Sequence, residues 1–483
     1  MGKGHFFRRV LLFLFVGIAI AARADDAISL QQVYDTGLTV IEIETVDGEM
    51  PTYENVSPPP GAMGYGIKNA TKVPARLRMT KGKELLFDSG DYLKDEIGIT
   101  LKIRGNTTAR AKKKPYKIKL QKKADLLLRG DDEKYGDKDW LLILDESLSA
   151  KTGFKLNELA GMQWTPSYQY VNLILNGEYK GLYMLCESVE RNKSCRLNVD
   201  KSGYIFEYDA YWWNEPIRIK SKFYYSMQYT YKYPDSDKVT EEQHAYISDV
   251  VKTFEASLAE GTYGRYIDVN SFATWMVGHD ILGCEDAAGS NIFLTKYDNT
   301  PDSKIMMGNM WDFNSCFVTE GDWDGMHERW FFDKLFKSVN MRFARAYYSR
   351  WNELKDNLFS QMDTYLADYA NSEACKAFER SLVLDRKAKG KEMSSVADMI
   401  DGFRQWFASR KIWLDANITP PKAWARGDAN CDGTVNQYDL EAIVDYMMGR
   451  TQKAAFDMDN ADMNQDGGVD VADVVEFIRQ KDS

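Results

Sequence analysis

Two acidic loops near the C-terminus constrain what this 483-residue chain can fold into more than any other feature. Each loop has Asp, Asn, Asp, Gly and Asp at positions 1, 3, 5, 6 and 12. Calcium takes many oxygen ligands from alternate positions of one loop, and Gly at position 6 permits the sharp turn. The sequence therefore predicts two bound calcium ions. The predicted ligands are Asp428, Asn430, Asp432, Thr434, Asn436 and Asp439 in the first loop and Asp462, Asn464, Asp466, Gly468, Asp470 and Asp473 in the second, with backbone carbonyls at position 7.

One helix is predicted after each loop, over residues 440–448 and 474–479, whereas Pro420 and Pro421 argue against a helix before the first loop. This duplicated loop-then-helix unit has Asp at position 12, where an EF-hand has Glu, and it resembles a dockerin repeat pair over residues 427–480. The resemblance implies a cohesin-like or surface partner. We interpret residues 427–483 as a small all-α dockerin-like domain and residues 417–426 as its linker.

The N-terminus has the order of a secretory signal peptide. Basic residues at positions 3, 8 and 9 precede an apolar run over 10–22, and Ala22-Arg23-Ala24 provides a cleavage site. We interpret residues 1–24 as the signal peptide and expect a secreted, periplasmic or cell-surface protein with no integral membrane segment after cleavage. The 62 Lys and Arg residues stand against 72 Asp and Glu residues, and this acidic balance argues against nucleic-acid binding.

Hydrophobic periodicity divides the intervening chain into a strand-rich first half and a helical second half. Alternation predicts strands at 40–44, 99–103 and 116–120, and Asn176-Gly177 predicts the turn of a hairpin. This order predicts an α+β domain over residues 25–416. Helical spacing predicts helices at 148–161, 246–258, 271–282, 342–365 and 394–414.

A basic strand in the first half has the residues that phosphate binding requires. Lys117 and Lys119 share one face of this strand, and either lysine is a candidate for contacting phosphates. The preceding turn contains Arg104, Gly105 and Asn106, and its backbone N–H groups can point at phosphate oxygens. The other interpretation of this segment is a solvated basic edge.

Two acidic motifs follow in the second half. Asp286 and Asn291 have the spacing of a kinase catalytic loop, in which Asp accepts the hydroxyl proton and Asn binds metal. Asp312 precedes Phe313 as the metal-binding Asp does in the kinase Asp-Phe-Gly motif. The ordered set of a lysine strand, Asp286, Asn291 and Asp312 predicts a metal-dependent phosphotransfer site.

The chain resembles the CotH family of atypical, spore-coat-type protein kinases over roughly residues 38–415. The matching blocks are IRGNTT (103–108), KPYKIKL (114–120), VNL (171–173), NGEYKGLY (176–183) and WDF (311–313). The resemblance implies a two-lobed protein-kinase-like fold, with a strand-rich N-lobe and a helical C-lobe. It also implies phosphorylation of protein Ser or Thr that depends on ATP and on Mg²⁺ or Mn²⁺.

The resemblance implies a role for each candidate residue. Lys117 or Lys119 contacts phosphates, Asp286 is the base, Asn291 and Asp312 bind the metal, and Glu187 lies at the hinge between the lobes. One departure is Asn314, where the family pattern often has a second Asp.

A second hypothesis is a catalytically silent surface or binding protein that keeps the kinase-like fold. It follows from the scarcity of ATP outside the cytoplasm and from the tethering module. Association with glycan-processing assemblies is a third possibility, because dockerin modules are often joined to such proteins.

Overall fold

Alternating apolar and polar residues build the first half of the chain into strands, as the periodicity predicts. In β1 (Thr39–Thr45), Ile41 and Ile43 are buried and Glu44 is exposed. The computed structural model describes residues 28–284, 290–317, 326–338, 340–392, 395–421, 425–450 and 456–481. The other strands are β2 (Glu54–Val56), β3 (Gly66–Lys68), β4 (Val73–Lys81), β5 (Glu84–Asp88), β6 (Ile99–Ile103), β7 (Tyr116–Ala124), β8 (Asp137–Ile143), β9 (Tyr168–Leu175), β10 (Glu178–Glu187), β11 (Tyr204–Asp209), β12 (Gln228–Tyr233), β13 (Ile292–Lys296) and β14 (Ile305–Met307).

Seven of these strands close into a barrel. β1 pairs in parallel with β9 and antiparallel with β4, so the order β1-β9-β10-β8-β7-β6-β4 returns to β1, and β5 adds to β4. Apolar side chains such as Ile118, Trp140 and Leu185 fill the barrel and are fully buried. Because side chains alternate between faces, Lys117 lies on the outside of the barrel. Leu141 also lies on the outside, where it packs into the core of the second half.

The second half contains the predicted helices and also a four-stranded sheet of order β12-β11-β13-β14. The helix over Glu241–Glu260 shows typical end signals, since it begins at a capping box between Thr240 and Gln243 and ends at left-handed Gly261. The helices are α1 (Leu30–Tyr34), α2 (Asp132–Tyr135), α3 (Ser149–Leu159), α4 (Glu241–Glu260), α5 (Val269–Leu282), α6 (Trp330–Phe336), α7 (Arg342–Ala370), α8 (Glu373–Lys389), α9 (Val396–Asn417), α10 (Gln437–Met447), α11 (Met458–Ala461) and α12 (Val471–Lys481).

The predicted two-lobed kinase fold, with a strand-rich N-lobe and a helical C-lobe, is wrong. The first half is a closed barrel, and the second half has a sheet of its own among its helices. Alternation shows which face of a strand is buried but not which strand lies beside it. The closing contacts join Thr39 to Val171 and Thr45 to Ala75, and local periodicity does not specify either pairing.

Helix α8, which periodicity did not predict, is attached to the barrel through buried charges. The buried carboxylate of Asp385 accepts a hydrogen bond from the Leu182 amide at 3.2 Å. It also pairs with Lys113 Nζ at 3.1 Å and Lys389 Nζ at 2.6 Å. At this contact β10 has a bulge, and Gly181 takes a φ of 112°. The bulge lets the backbone of β10 approach the helix closely.

The C-terminal module has its own small core, made by residues that include Ile443, Tyr446, Phe456 and Phe477. Helices α10 and α12 confirm the two helices predicted after the loops, although each begins about one turn earlier than predicted. No helix within the described ranges combines the length and the apolar character needed to cross a membrane.

Candidate functional site

The second sheet brings four polar residues together at one edge. Asn291 directly precedes β13, and Asp312 follows β14, which is antiparallel to β13. β11 is also antiparallel to β13, with Tyr208 opposite Ile292, so Glu207 and Asp209 at the end of β11 reach the same edge. The Asn291 amide donates to Glu207 Oε1 at 2.7 Å, which fixes the start of β13 beside this carboxylate.

Two of the sequence-predicted residues at this edge have unusual backbone conformations. Asn291 has a φ of 66° and Asp312 a φ of 59°, both in the left-handed region that non-glycine residues seldom adopt. Aromatic packing holds Asp312 in place, since its neighbour Phe313 packs edge-on against Phe154 of α3 at 5.4 Å. Such strain clusters at functional sites, where the surrounding structure maintains it.

The acidic pair on β11 was missed by the sequence reasoning. Glu207 and Asp209 are both buried, and Lys232 of β12 pairs with Glu207 at 2.7 Å. Burial and the nearby Glu207 carboxylate raise the pKa of Asp209 to about 8. The alternation of Phe206, Glu207, Tyr208 and Asp209 indicates a strand with both acids on one face, and this signal could have identified them.

Arg104 comes from the barrel and lies within electrostatic reach of this edge. It follows β6, and its amide donates to the Pro115 carbonyl at 3.2 Å. Burial lowers the pKa of Arg104, and the carboxylates of Asp312 and Glu207 are among the groups that partly offset that effect. Guanidinium groups suit phosphate and carboxylate recognition, so this arginine faces the predicted metal-binding edge with appropriate chemistry.

The turn after Arg104 depends on a glycine for its shape, and a residue from the second half of the chain forms a hydrogen bond to it. Gly105 has a φ of 82°, and a Cβ on it would lie 2.3 Å from Thr108 Oγ1. The Thr107 and Tyr211 hydroxyls are 3.2 Å apart and form a hydrogen bond. Asn106 is half-buried beside Gly66. The turn therefore lies between the barrel and the end of β11.

The two candidate lysines have different surroundings. Lys117 Nζ is 3.0 Å from Asp139 Oδ1 and 2.9 Å from Glu190 Oε1. Burial alone would lower the pKa of Lys117, but these two carboxylates reverse the effect and raise it. Lys119 is about half exposed, and its Nζ is 4.0 Å from Asp139 Oδ2. We use the term seam for the outer barrel face with Arg104 and Lys117 together with the facing sheet edge with Glu207 and Asp312. Lys117 is thus a paired cation within the seam, and Lys119 is at its margin.

A third lysine, Lys102, lies opposite Lys117 on β6. Burial lowers the pKa of Lys102, nearby Lys72 and Lys117 lower it further, and Glu215 acts in the opposite direction. The sequence predicted Lys117 or Lys119 of this basic segment as a phosphate contact and did not single out Lys102. The pairing of β6 with β7 concentrates the positive charge of the segment on the outer barrel face beside Arg104.

Asp137, Asp139 and Glu190 form a group of carboxylates whose oxygens lie within 4.8 Å of one another. A divalent cation accepts such ligands. Here, however, Lys117 and Arg196 already lie against the group, with Arg196 Nη1 3.6 Å from Glu190 Oε2. These two cations compensate most of its charge, so the group is best described as an ion-pair network that holds Lys117.

Glu187 and Asp286 complete the predicted set. Glu187 is fully buried at the end of β10, where Arg129 Nη1 and the Ser167 amide each donate to its carboxylate at 2.9 Å. Burial raises its pKa. Asp286 lies outside the described residues.

The two calcium loops have nearly the same hydrogen-bond pattern. In the first loop, Asp428 accepts from the amides of Asp432 at 3.1 Å and Gly433 at 2.9 Å. In the second loop, Asp462 accepts from the matching amides of Asp466 at 3.2 Å and Gly467 at 2.8 Å. Both glycines at position 6 have positive φ, as the sharp turn requires.

The last predicted ligand of each loop is buried at the start of a helix. Asp439 accepts from the amides of Asn430 at 3.0 Å and Asn436 at 2.7 Å, and Asp473 accepts from Met463 at 2.8 Å and Asp470 at 2.8 Å. Burial raises the pKa of Asp439, and Asp428 and Asp432 add to this effect. A buried carboxylate among like charges is what a bound cation stabilises, so these residues fit calcium.

The remaining predicted ligands have the expected order around each loop. Asn430 and Asp432 accept from amides two residues ahead, as do Asn464 and Asp466 in the second loop. Position 9 behaves alike in both loops, since Asn436 and Asp470 each accept from the amide two residues ahead. Thr434 and Gly468 stand at position 7, where the backbone carbonyl is the ligand.

The fold and these sites define a barrel protein with a seam of acidic and basic residues, followed by a two-loop calcium module. The model of the CotH kinase protein family matches residues 101–414, well over half of the chain. The chain belongs to this family, and the predicted resemblance is confirmed. The model of the dockerin type I domain matches residues 426–480 and confirms the second resemblance. No curated protein matches the chain.

The dockerin match has three general consequences. Dockerin domains generally bind calcium, they occur in extracellular or cell-surface proteins, and they imply a cohesin partner. The calcium loops described above agree with the first of these properties.

Proposed function

We propose that this protein is exported and transfers a phosphoryl group from ATP, with Mg²⁺ or Mn²⁺, to Ser or Thr of a protein. Its module, with a calcium ion in each loop, tethers it to a cohesin-type partner. The observation that carries the proposal is the convergence of Asn291, Asp312 and Glu207 on one edge that faces Arg104 across the seam. Phosphoryl transfer depends mainly on positioning and charge stabilisation, and this arrangement supplies metal-binding oxygens beside phosphate-binding cations.

Individual roles follow from the surroundings of each side chain. Asn291 and Asp312 offer oxygen ligands for the metal, and Arg104 offers a planar fork for phosphate oxygens. Lys102 adds a second cation, because Lys117 is already engaged by two carboxylates. Asp286 accepts the hydroxyl proton in the role that the kinase spacing indicates.

Phosphate transfer from labelled ATP, measured with Mg²⁺ and then with Mn²⁺, tests this function. We expect Asp312→Ala and Asp286→Asn to abolish transfer. Asp302→Ala is the matched control, because Asp302 is exposed on the connection between β13 and β14 and should leave transfer unchanged. Transfer that persists in Asp312→Ala would exclude the proposed metal site.

ATP binding provides an independent measurement. Removing a cation that contacts a phosphate costs about 1.5–3 kcal/mol, or roughly 10- to 100-fold in affinity. We expect Arg104→Met and Lys102→Met each to lose this much and Lys119→Met, at the exposed margin, to lose much less. If all three variants bound ATP with equal affinity, the nucleotide would bind away from Arg104 and Lys102.

A second candidate function is binding without catalysis, and two contacts favour it. Lys117 is paired with Asp139 and Glu190, and the side-chain Nδ2 of Asn314 donates to Asp312 Oδ1 at 3.1 Å, where it competes with a metal ion. This hypothesis predicts no transfer with either metal. If Asn314→Asp restored phosphate transfer, Asn314 would be the cause of the missing activity.

A further inference from the structure

The calcium module lies against the CotH domain through a defined set of contacts. Arg345 of α7 binds Asp457 with both terminal guanidinium nitrogens, with Nη1 3.0 Å from Oδ1 and Nη2 2.8 Å from Oδ2. The Asp457 side chain is fully buried. A two-pronged charge-assisted contact of this kind fixes orientation as well as proximity.

A second contact lies beside the first. Arg265 Nε donates to the Tyr446 hydroxyl at 3.0 Å, and its guanidinium lies 4.4 Å from the centre of the Tyr446 ring. The ring also stacks on Phe456 within the core of the module. Residues 425–483 contain 13 acidic and 5 basic residues, so the arginines of the CotH domain face a module of opposite charge.

The docked segment is joined directly to both calcium loops. The Asp457 amide donates to the Ala429 carbonyl at 2.8 Å, and Asn460 Nδ2 donates to the Asp428 carbonyl at 3.0 Å, at the first ligand of the first loop. Helix α11 then ends where the Asp462 amide donates to the Met458 carbonyl at 2.8 Å, and Asp462 is the first ligand of the second loop.

We propose that calcium in the two loops organises the Asp457–Asp462 segment as the surface that docks on Arg345 and Arg265, so that docking depends on calcium. Without calcium, the clustered carboxylates of the loops repel one another, and this segment loses the backbone that positions it. The module is then a calcium-dependent partner of its own CotH domain. Calcium would therefore fix the orientation of the CotH domain relative to the module that tethers it.

Thermodynamic linkage means that the proposal can be tested by measuring either docking or calcium affinity. If calcium promotes docking, docking must raise calcium affinity by the same factor. We expect Arg345→Ala to retain two bound calcium ions but to bind them roughly tenfold more weakly, within the range typical of such coupling. Arg265→Ala removes the other contact and should shift affinity in the same direction.

The experiment uses the full chain, with small-angle X-ray scattering for overall dimensions and calcium titration for affinity. We expect the wild-type chain to be compact in calcium and extended in a chelator. Arg345→Ala and Arg265→Ala should be extended even in calcium. Lys355→Ala is the matched control, because Lys355 lies on the same helix but pairs with Asp415 at the surface. It should behave as the wild-type chain does.

Two results would overturn the proposal. One is a wild-type chain that stays equally compact after chelation, since docking would then not need calcium. The other is an Arg345→Ala chain with unchanged dimensions and unchanged calcium affinity. Neither result depends on phosphotransfer, so failure of this proposal is distinguishable from failure of the proposed function.

Discussion

Replacing Gly181 with Ala tests how the barrel holds helix α8. Gly181 lies at the bulge of β10 with a φ of 112°, and a Cβ at this position would lie 1.8 Å from Asp385 Oδ1. The added atom therefore displaces the carboxylate. Asp385 cannot move freely, because Lys113, Lys389 and the Leu182 amide all bind it.

The magnitude follows from two contributions. An L-residue at this φ costs about 1–3 kcal/mol, and disrupting a buried ion pair costs about 3–5 kcal/mol. We expect Gly181→Ala to lower the free energy of unfolding of the large domain by about 5 kcal/mol. Natural domains have only about 5–15 kcal/mol of stability, so the substitution removes a large part of it.

Gly177 in the same hairpin provides a matched control. Its φ is 76°, but a Cβ there would meet no atom within 4 Å. Gly177→Ala should therefore cost only the backbone strain, about 1 kcal/mol. Denaturant unfolding at saturating calcium, followed by tryptophan fluorescence, compares the two variants. Equal losses would refute the reasoning, because backbone strain alone would then explain both.

Three further predictions concern the calcium loops, a buried histidine and the packing of the site. Asp439→Ala and Asp473→Ala should each reduce the calcium stoichiometry of the chain from two to one in a titration, and two ions retained in either variant would exclude that ligand. Burial lowers the pKa of His279 to about 4, so the unfolded chain takes up a proton between about pH 6.5 and 4 while the folded chain does not. Stability should fall by about 3 kcal/mol across that window, and His279→Phe should remove this part of the pH dependence measured by denaturant unfolding. A Cβ on Gly153 would lie 2.2 Å from Phe313, so Gly153→Ala should displace the neighbour of Asp312, the proposed metal ligand, and weaken ATP binding in the presence of Mg²⁺; unchanged affinity would contradict that link.

The local sequence pattern is enough for a prediction where all the residues concerned lie within one short segment. Each predicted calcium loop is contained within twelve residues, so the spacing of Asp428 to Asp439 and of Asp462 to Asp473 predicts its ligands without any distant contact. The strand at Ile99–Ile103 and the helix that begins at Arg342 were likewise predictable, because burial of one face imposes a period that the sequence records.

The arrangement around the seam was decided by tertiary structure. Parallel pairing of β1 with β9 closes the barrel, and antiparallel pairing of β11 with β13 brings Glu207 to Asn291. Either Lys117 or Lys119 was predicted as a phosphate contact, and the sequence does not indicate that Glu190, from a segment beyond β10, pairs with Lys117. A sequence determines the period of each element, and it predicts the ligands of each loop. Which distant strands become neighbours depends on the packing of the whole chain, since one strand pattern is compatible with many partners.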